Sequence, residues 1–363
     1  MSRRRTYRIG NKEIIVEVGS NLAHALTEFL LEKKFCKLFL LSNETVFPLW
    51  GTKIMRALAN AGFEVEKIIV KDGEQYKNLE TVKSILKQLI LSGAERTSIL
   101  ISLGGGVITD IGGFTASILL RGIPVIHYPT TLLSQVDAAL GGKTGVDFYG
   151  FKNMVGSFYQ PDAIFCDLKT LTTLENKQIS NAMAEIIKYA LTGEEVIYDI
   201  LHKNNPDNVM TVAEELVDRS VNRKLGIVAE DEKEAGKREL LNFGHTFGHA
   251  VESASSFKLL HGQAVAIGMS FALFYSMEKG YITREWFGLA EKLIESYGLK
   301  TSIPPEIKID DIFDFMAKDK KRRGGNLRFV FAKGKGAVVE DAGNIKNVID
   351  RFIIYKTDGL DKR

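Results

Sequence analysis

The chain has 363 residues, 45% of them apolar and 26% charged, which supports two domains with full cores. A net charge of +3 is too small to imply a nucleic-acid partner. No apolar run reaches membrane-spanning length, the N-terminal MSRRRTYRIG lacks the apolar core of a signal peptide, and Cys36 and Cys166 offer neither zinc spacing nor a disulfide framework, so a cytoplasmic protein with no membrane contact is expected.

Residues 5–18 alternate apolar and polar side chains around Gly10–Asn11, which predicts a β-hairpin. A helix is expected over 21–31, a strand over 37–42, a helix over 47–61 and a strand over 63–70. The loop DGEQYK (Asp72, Gly73, Glu74, Gln75, Tyr76, Lys77) precedes a helix over 79–91. The buried-type strand SILISL (98–103) then runs into Gly104, Gly105 and Gly106, and helical spacing resumes from Val107 to Leu120. Strand, glycine turn and helix together aim backbone N–H groups and a helix N-terminus at a phosphate, with Asp110 close by. The pattern is not GxGxxG, and a tight turn without a ligand is the competing reading of the glycines alone. Strands over 123–128 and 163–167 complete the alternation.

From about Leu174 to Tyr297 almost every segment has helical spacing, and a small hairpin is expected over 327–339. The expected architecture is therefore an α/β N-terminal domain (1–174) with a mostly parallel nucleotide-binding sheet, followed by a mainly helical domain (175–363) for metal and substrate.

Three of the six histidines fall close together: His245, His249 and His261. GHTFGH places His245 and His249 at i, i+4 on one helix face. Glu185 lies in AEIIKYA with Lys188 at i+3. Two or three histidines with one carboxylate suit a catalytic Zn²⁺ that keeps a position open. Structural histidines are the competing reading, weaker for a cluster than for one residue. Lys143, in GGKTG, combines an ammonium with a glycine backbone able to hold an anion. The run KDKKRR (318–323) has no interleaved aromatics, which argues against single-stranded nucleic acid.

The segments DGEQYK, GGGVITD, RGIPVIHYPTTLLSQVDAALGGKTGVD, KNMVGSFYQP, AEIIKYA, LLNFGHTFGHAVE and HGQAVAIGM, in this order, resemble 3-dehydroquinate synthases. The resemblance is dense over residues 70–270 and extends to Arg328. It implies conversion of 3-deoxy-D-arabino-heptulosonate 7-phosphate to 3-dehydroquinate and phosphate in the shikimate route, with NAD⁺ and a divalent metal, Zn²⁺ or Co²⁺, in a homodimer. By the same resemblance, Glu185, His245 and His261 match metal ligands, and His249 matches an active-site histidine. Asp72 to Lys77, Gly104 to Asp110, Thr130, Thr131, Asp137, Lys143, Lys152, Thr170, Leu171, Thr172 and Thr173 match cofactor-binding positions. Lys143, Lys152, Asn153, Lys188, Lys224, Arg238 and Asn242 match residues around the substrate. Arg121 matches a residue presented across a dimer interface, and Lys320 or Lys321 matches one that reaches the site.

The chain departs from the family pattern at Thr109 and Phe151, where Gly is common, and at Gln178 and Gln263, where Glu is common. Two rival enzymes remain at this stage. One is a sister sugar-phosphate cyclase acting on sedoheptulose 7-phosphate or glucose 6-phosphate, whose substrates lack the carboxylate that Arg238 and Asn242 imply. The other is a metal-dependent polyol dehydrogenase, against which GGKTGVD and KNMVGSFYQP argue.

Overall fold

The computed structural model describes residues 2–33, 35, 37–256, 258–322, 327–343 and 345–358, excluding the side chains of 318–322 and 358. Internal contacts divide the chain into two compact units, Met1–Glu175 with Ala213–Lys233, and Asn176–Val212 with Glu234–Arg363.

The first unit is built on strands β1 (Arg3–Ile9), β2 (Lys12–Gly19), β3 (Leu38–Asn43), β4 (Val65–Val70), β5 (Ile99–Gly104) and β6 (Val125–Pro129). Strands β7 (Lys143–Phe148) and β8 (Phe151–Phe158) form a separate antiparallel hairpin, and β9 (Ala163–Asp167) returns to the main sheet. The sheet has seven strands in the order β1-β2-β9-β6-β5-β3-β4, and only the β1–β2 pair is antiparallel. Helices α1 (Ala23–Glu32) and α2 (Thr52–Asn60) cover one face; α3 (Leu79–Leu91) and α4 (Gly106–Ile118) cover the other.

The strand period sorts the core. On β3, Leu38 and Leu40 pack with α1 and α2, whereas Phe39 and Leu41 pack with α3 and α4. On β5, Ile99, Ile101 and Leu103 face the first pair and Leu100 the second. Each such buried side chain contributes roughly 1.5–3 kcal/mol. Helix α4 lies unusually close to the sheet because Gly112 stands opposite Ser102: a Cβ there would fall 1.9 Å from the serine Oγ. This brings the start of α4 to the carboxyl ends of the parallel strands, where α/β sheets bind ligands.

The second unit holds α5 (Asn176–Leu191) and α6 (Glu195–Lys203). The next helix, α7 (Ala213–Glu230), belongs to the first unit. A single cut at residue 174 therefore does not describe the chain. The reason is electrostatic: Asp218 of α7 accepts hydrogen bonds from Arg3 (3.1 Å) and Arg5 (2.9 and 2.8 Å) on β1. Tyr7 also donates to Asn222 at 2.6 Å. Helices α8 (His245–Ala254), α9 (His261–Glu278), α10 (Arg284–Ser296), α11 (Ile309–Arg322) and α12 (Ile345–Asp358), with the hairpin β10 (Arg328–Lys333) and β11 (Gly336–Asp341), complete the second unit. Among the described residues, no helix is long and apolar enough to cross a membrane.

Candidate active site

The glycine turn sits where β5 ends and α4 begins. Gly105 caps α4, and its carbonyl accepts from the N–H groups of Ile108 and Thr109. The backbone runs against Thr131, so that a Cβ on Gly105 would lie 3.0 Å from the threonine Cγ2. A side chain at Gly105 would crowd Thr131, so the turn favours bare backbone, which fits the close approach of a pyrophosphate to its N–H groups. Thr130 is tied in through its N–H to the Gly104 carbonyl at 2.9 Å.

Around this turn the first unit gathers the other expected cofactor positions. Asp72 accepts from Asn43 (2.7 Å) and Thr45 (2.8 Å). Thr170 to Thr173 form a short helical turn, where Thr173 accepts from the Trp50 indole at 3.2 Å. Gln135 is fully buried and donates to the carbonyls of Pro129 and Asp167, both at 3.0 Å, and so joins the Thr130 and Thr170 segments. Lys224 of α7 donates to Asp137, at 2.7 Å to the carboxylate and 2.8 Å to the carbonyl. Expected from the sequence to face the substrate, Lys224 is thus packed among residues expected to bind the cofactor.

Lys77 shows the chemistry of this region most clearly. Its ammonium is buried, 2.7 Å from Asp110 of α4 and 2.6 Å from the Asn153 side chain. Burial works against the charge, but Asp110, Glu74 and Asp147 outweigh it and hold the lysine pKa above its ordinary value. Burial raises the Asp110 carboxyl, and Lys77 offsets this only in part. Gly73, Glu74, Gln75 and Tyr76 form the tight turn before Lys77. Lys143 is exposed and Lys152 half-buried on the β7–β8 hairpin.

The second unit holds two groups whose ligand atoms could meet on a metal ion, His249–Glu252–His261 and the one expected from the sequence, Glu185–His245–His261. Glu185 is fully buried on α5, His245 opens α8 and His261 opens α9. Glycines bring these three elements together. A Cβ on Gly262 would fall 1.9 Å from the Asn181 carbonyl of α5, and one on Gly268 would fall 1.9 Å from the Gly244 carbonyl before α8. Only backbones without side chains pack this closely. Gln263 accepts from the Leu260 N–H at 3.0 Å, so it caps α9 as a glutamate would.

Glu185 Oε1 lies 3.2 Å from His261 Nε2 and 3.5 Å from His245 Nε2. His245 Nδ1 is 3.2 Å from the Phe243 carbonyl. A carbonyl only accepts, so Nδ1 carries the proton and Nε2 turns a lone pair towards the carboxylate. Burial first, then Lys188, His249 and His261, hold the His245 pKa well below its usual range despite Glu185. Burial alone would raise the Glu185 carboxyl, but Lys188, His245 and His261 hold it well below the usual range. A carboxylate and an imidazole lone pair thus converge on one point, which is the donor set of a divalent metal with positions left open. Lys188 forms a buried ion pair with Glu185 Oε2 without hydrogen-bond geometry.

His249 lies one turn on, its ring centroid 5.2 Å from His245 and 5.9 Å from His261. Asn242 donates to Glu234 at 2.7 Å. Arg238 is 1% exposed, and its neighbour Glu239 pairs with Arg328 at 2.7 Å. Lys320 and Lys321 lie on α11, but their side chains fall outside the described residues. Among the departures, Thr109 is buried with its hydroxyl donating to the Gly106 carbonyl (3.1 Å), while Gln178 and Phe151 are exposed. Sequence reasoning missed Asn43, Thr45, Gln135, Asp147 and Glu234, which hold expected site residues in place. Asn43 carried a signal as a polar residue closing an apolar strand, and Gln135 and Asp147 lie within a segment that carries the resemblance without being singled out there.

The fold is that of the sugar-phosphate cyclases among the solved structures similar to this chain. Residues 67–181 match the family model of the 3-dehydroquinate synthase N-terminal domain, and residues 182–322 match that of its C-terminal domain. A 3-dehydroquinate synthase of Prochlorococcus marinus (strain MIT 9312) is 38% identical over 92% of this chain and 96% of its own. One of Dehalococcoides mccartyi (strain ATCC BAA-2266 / KCTC 15142 / 195) is 40% identical over 90% and 92%. The structure is also similar to that of 2-epi-5-epi-valiolone synthase from Streptomyces hygroscopicus subsp. jinggangensis 5008, with NAD⁺ and Zn²⁺ bound, at 27% identity and a TM-score of 0.87 over 98% of this chain and 99% of that one. The chain belongs to the 3-dehydroquinate synthase family.

Proposed function

We propose that the chain converts 3-deoxy-D-arabino-heptulosonate 7-phosphate to 3-dehydroquinate and phosphate, in the cytoplasm. Family membership supports the reaction, and the convergence of Glu185, His245 and His261 on one point is the observation that carries it here. Transient oxidation of one hydroxyl acidifies the neighbouring C–H, and phosphate leaves by β-elimination. The carbonyl is then reduced, and ring opening with an intramolecular aldol closes the carbocycle. NAD⁺ bound at the glycine turn would accept and return the hydride, and Zn²⁺ or Co²⁺ held by Glu185, His245 and His261 would supply Lewis acidity.

The chain's own residues bind and orient. Lys143, Lys152, Asn153, Lys188, Arg238, Asn242 and either Lys320 or Lys321 meet a substrate that carries both a phosphate and a carboxylate. Lys224 holds Asp137 against the nucleotide cradle, and His249 exchanges a proton with the substrate. Product identification by NMR, with purified protein, NAD⁺, metal and the heptulosonate phosphate, tests the reading. Carbocycle formation from sedoheptulose 7-phosphate alone would overturn it in favour of a sister cyclase.

Arg238 is the proposed reader of the substrate carboxylate. A guanidinium holds a carboxylate through two parallel hydrogen bonds, which an ammonium cannot reproduce. Arg238→Lys is therefore expected to lower kcat/KM by about one to two orders of magnitude, the equivalent of about 1.5–3 kcal/mol. NAD⁺ and metal affinity should stay close to wild type. Unchanged kinetics on the heptulosonate phosphate would remove the carboxylate assignment.

The working assembly is a homodimer in which Arg121 serves the partner's site. Leu120 and Arg121 hold φ of 51° and 68°, uncommon for residues with a Cβ, just after α4. A Ser157–Ser117 hydrogen bond of 2.8 Å sets strand β8 beside this turn, and Ile118, Leu120, Met154 and Phe158 are exposed around it. Such a group of apolar side chains is suited to an isologous contact. Light scattering should give twice the chain mass, and Met154→Asp should shift it towards one. A wild-type monomer that is fully active at assay concentration would rule the assembly out.

A further inference from the structure

We infer that Asp147, which has no assigned role, is a positioning residue that sets the backbone of Asn153 and, with it, the direction of Lys152. The inference rests on the proposed function for the substrate roles of Lys152 and Asn153, but not for its geometry.

The β7–β8 register is regular from Lys143↔Phe158 to Val146↔Val155 and resumes at Phe148↔Phe151, with an irregularity between Val146 and Phe148. Asp147 occupies that irregular position. Its N–H turns away from β8 and donates to the Lys77 carbonyl at 2.8 Å. Its carboxylate Oδ1 accepts the Asn153 N–H at 2.8 Å. Asn153 Oδ1 in turn accepts from the Lys77 ammonium at 2.6 Å. Three residues thus close a ring in which each contacts the other two, and the Lys77–Asp110 ion pair anchors the ring to α4.

The ring explains an otherwise costly backbone. Asn153 has φ +54°, a left-handed conformation that asparagine tolerates better than most residues but that still needs a fixed environment. Asp147 provides it by capturing the N–H that this conformation takes out of the strand ladder. Lys152, one residue earlier, inherits its direction from that fixed backbone. Holding the Asn153 N–H requires an acceptor at the position of Oδ1; the charge of Asp147 acts separately, on the Lys77 ammonium, which keeps Asp110 as its ion-pair partner.

The test compares Asp147→Ala with Asp147→Asn. The alanine variant removes the acceptor, and the asparagine variant keeps one of the same size without the charge. For Asp147→Ala the expected result is a rise in the substrate KM of about tenfold or more, a smaller change in kcat, and a change in NAD⁺ Kd of no more than about threefold, because the direct Lys77–Asp110 ion pair remains when the weaker pull of Asp147 on Lys77 is lost. Asp147→Asn should restore KM to within about threefold of wild type. Amide hydrogen exchange without ligands provides a second readout. Protection of the Asn153 N–H should be lost in the alanine variant and kept in the asparagine variant. An unchanged KM in Asp147→Ala would overturn the positioning role, as would an asparagine variant as impaired as the alanine one. If the wild type does not act on the heptulosonate phosphate at all, the proposed function fails; the exchange measurement still decides whether Asp147 holds Asn153.

Discussion

His261→Ala is expected to give a folded chain that no longer retains divalent metal and turns over at least about a thousandfold more slowly. The ring is 30% exposed at the first position of α9, so its removal opens little buried volume. What it takes away is one of three donors converging on the point facing Glu185 Oε1. A metal centre that polarises oxygen is worth several kcal/mol of transition-state stabilisation, and each 1.36 kcal/mol is tenfold in rate. Metal content after dialysis, kcat and thermal midpoint should be measured on the same sample. A stoichiometric ion in His261→Ala would remove this residue from the ligand set. Glu185→Gln gives a useful contrast. It leaves the Lys188 ammonium buried without its counter-charge, a change that costs about 3–5 kcal/mol, so it should lose stability as well as metal.

The same group shows how far the sequence reaches. GHTFGH and HGQ carried the histidine spacing, and Gly104–Gly106 carried the turn, because both are local patterns. The packing role of Gly262 and Gly268 is not local: each makes room for a carbonyl many residues away. The placement of α7 was illegible for a related reason. Its helical period is plain in sequence, but its membership of the first unit depends on Arg3 and Arg5 reaching Asp218 from the far end of the chain. Strands β7 and β8 were missed because Gly141, Gly142, Gly145, Gly150 and Gly156 read as turn residues. Lys77 was legible as part of a motif, but not as a strut whose charge is taken up by Asp110 and Asn153. Asp147 and Gln135, which hold site residues in place, lie inside a quoted segment, but their roles were illegible because their partners are set by the fold.

Stability of the chain without ligands is expected to fall steeply in mild acid, with His127 a principal cause. His127 lies on β6 opposite Ser102 of β5, beneath α4, and among the described residues its Nδ1 has no hydrogen-bond partner. Burial, with Lys12 adding to it, pushes its pKa down from 6.5 to about 3. In the unfolded chain the imidazole gains a proton as pH falls through 6.5, whereas in the folded chain it stays neutral until about 3. The unfolded state therefore binds more protons throughout that window, and folding stability drops as pH falls across it. The contribution is present in full above pH 6.5. About 2 kcal/mol of it is lost by pH 5 and about 4 kcal/mol by pH 3, a large part of a typical domain's net stability. Protonation of Glu185 and Asp218, whose pKa values are held low in the folded state, adds to the loss at lower pH. The histidine's share is isolated by comparison with His127→Gln, which is polar and of similar size but does not titrate. Denaturant midpoints of both proteins should be measured at pH 7.5, 6, 5 and 4. The stability advantage of wild type over the variant, whatever its value at pH 7.5, should shrink by about 2 kcal/mol at pH 5 and continue to shrink at pH 4. Parallel pH profiles for the two proteins would mean that His127 is hydrated or paired in solution, and that acid sensitivity arises from the carboxylates alone.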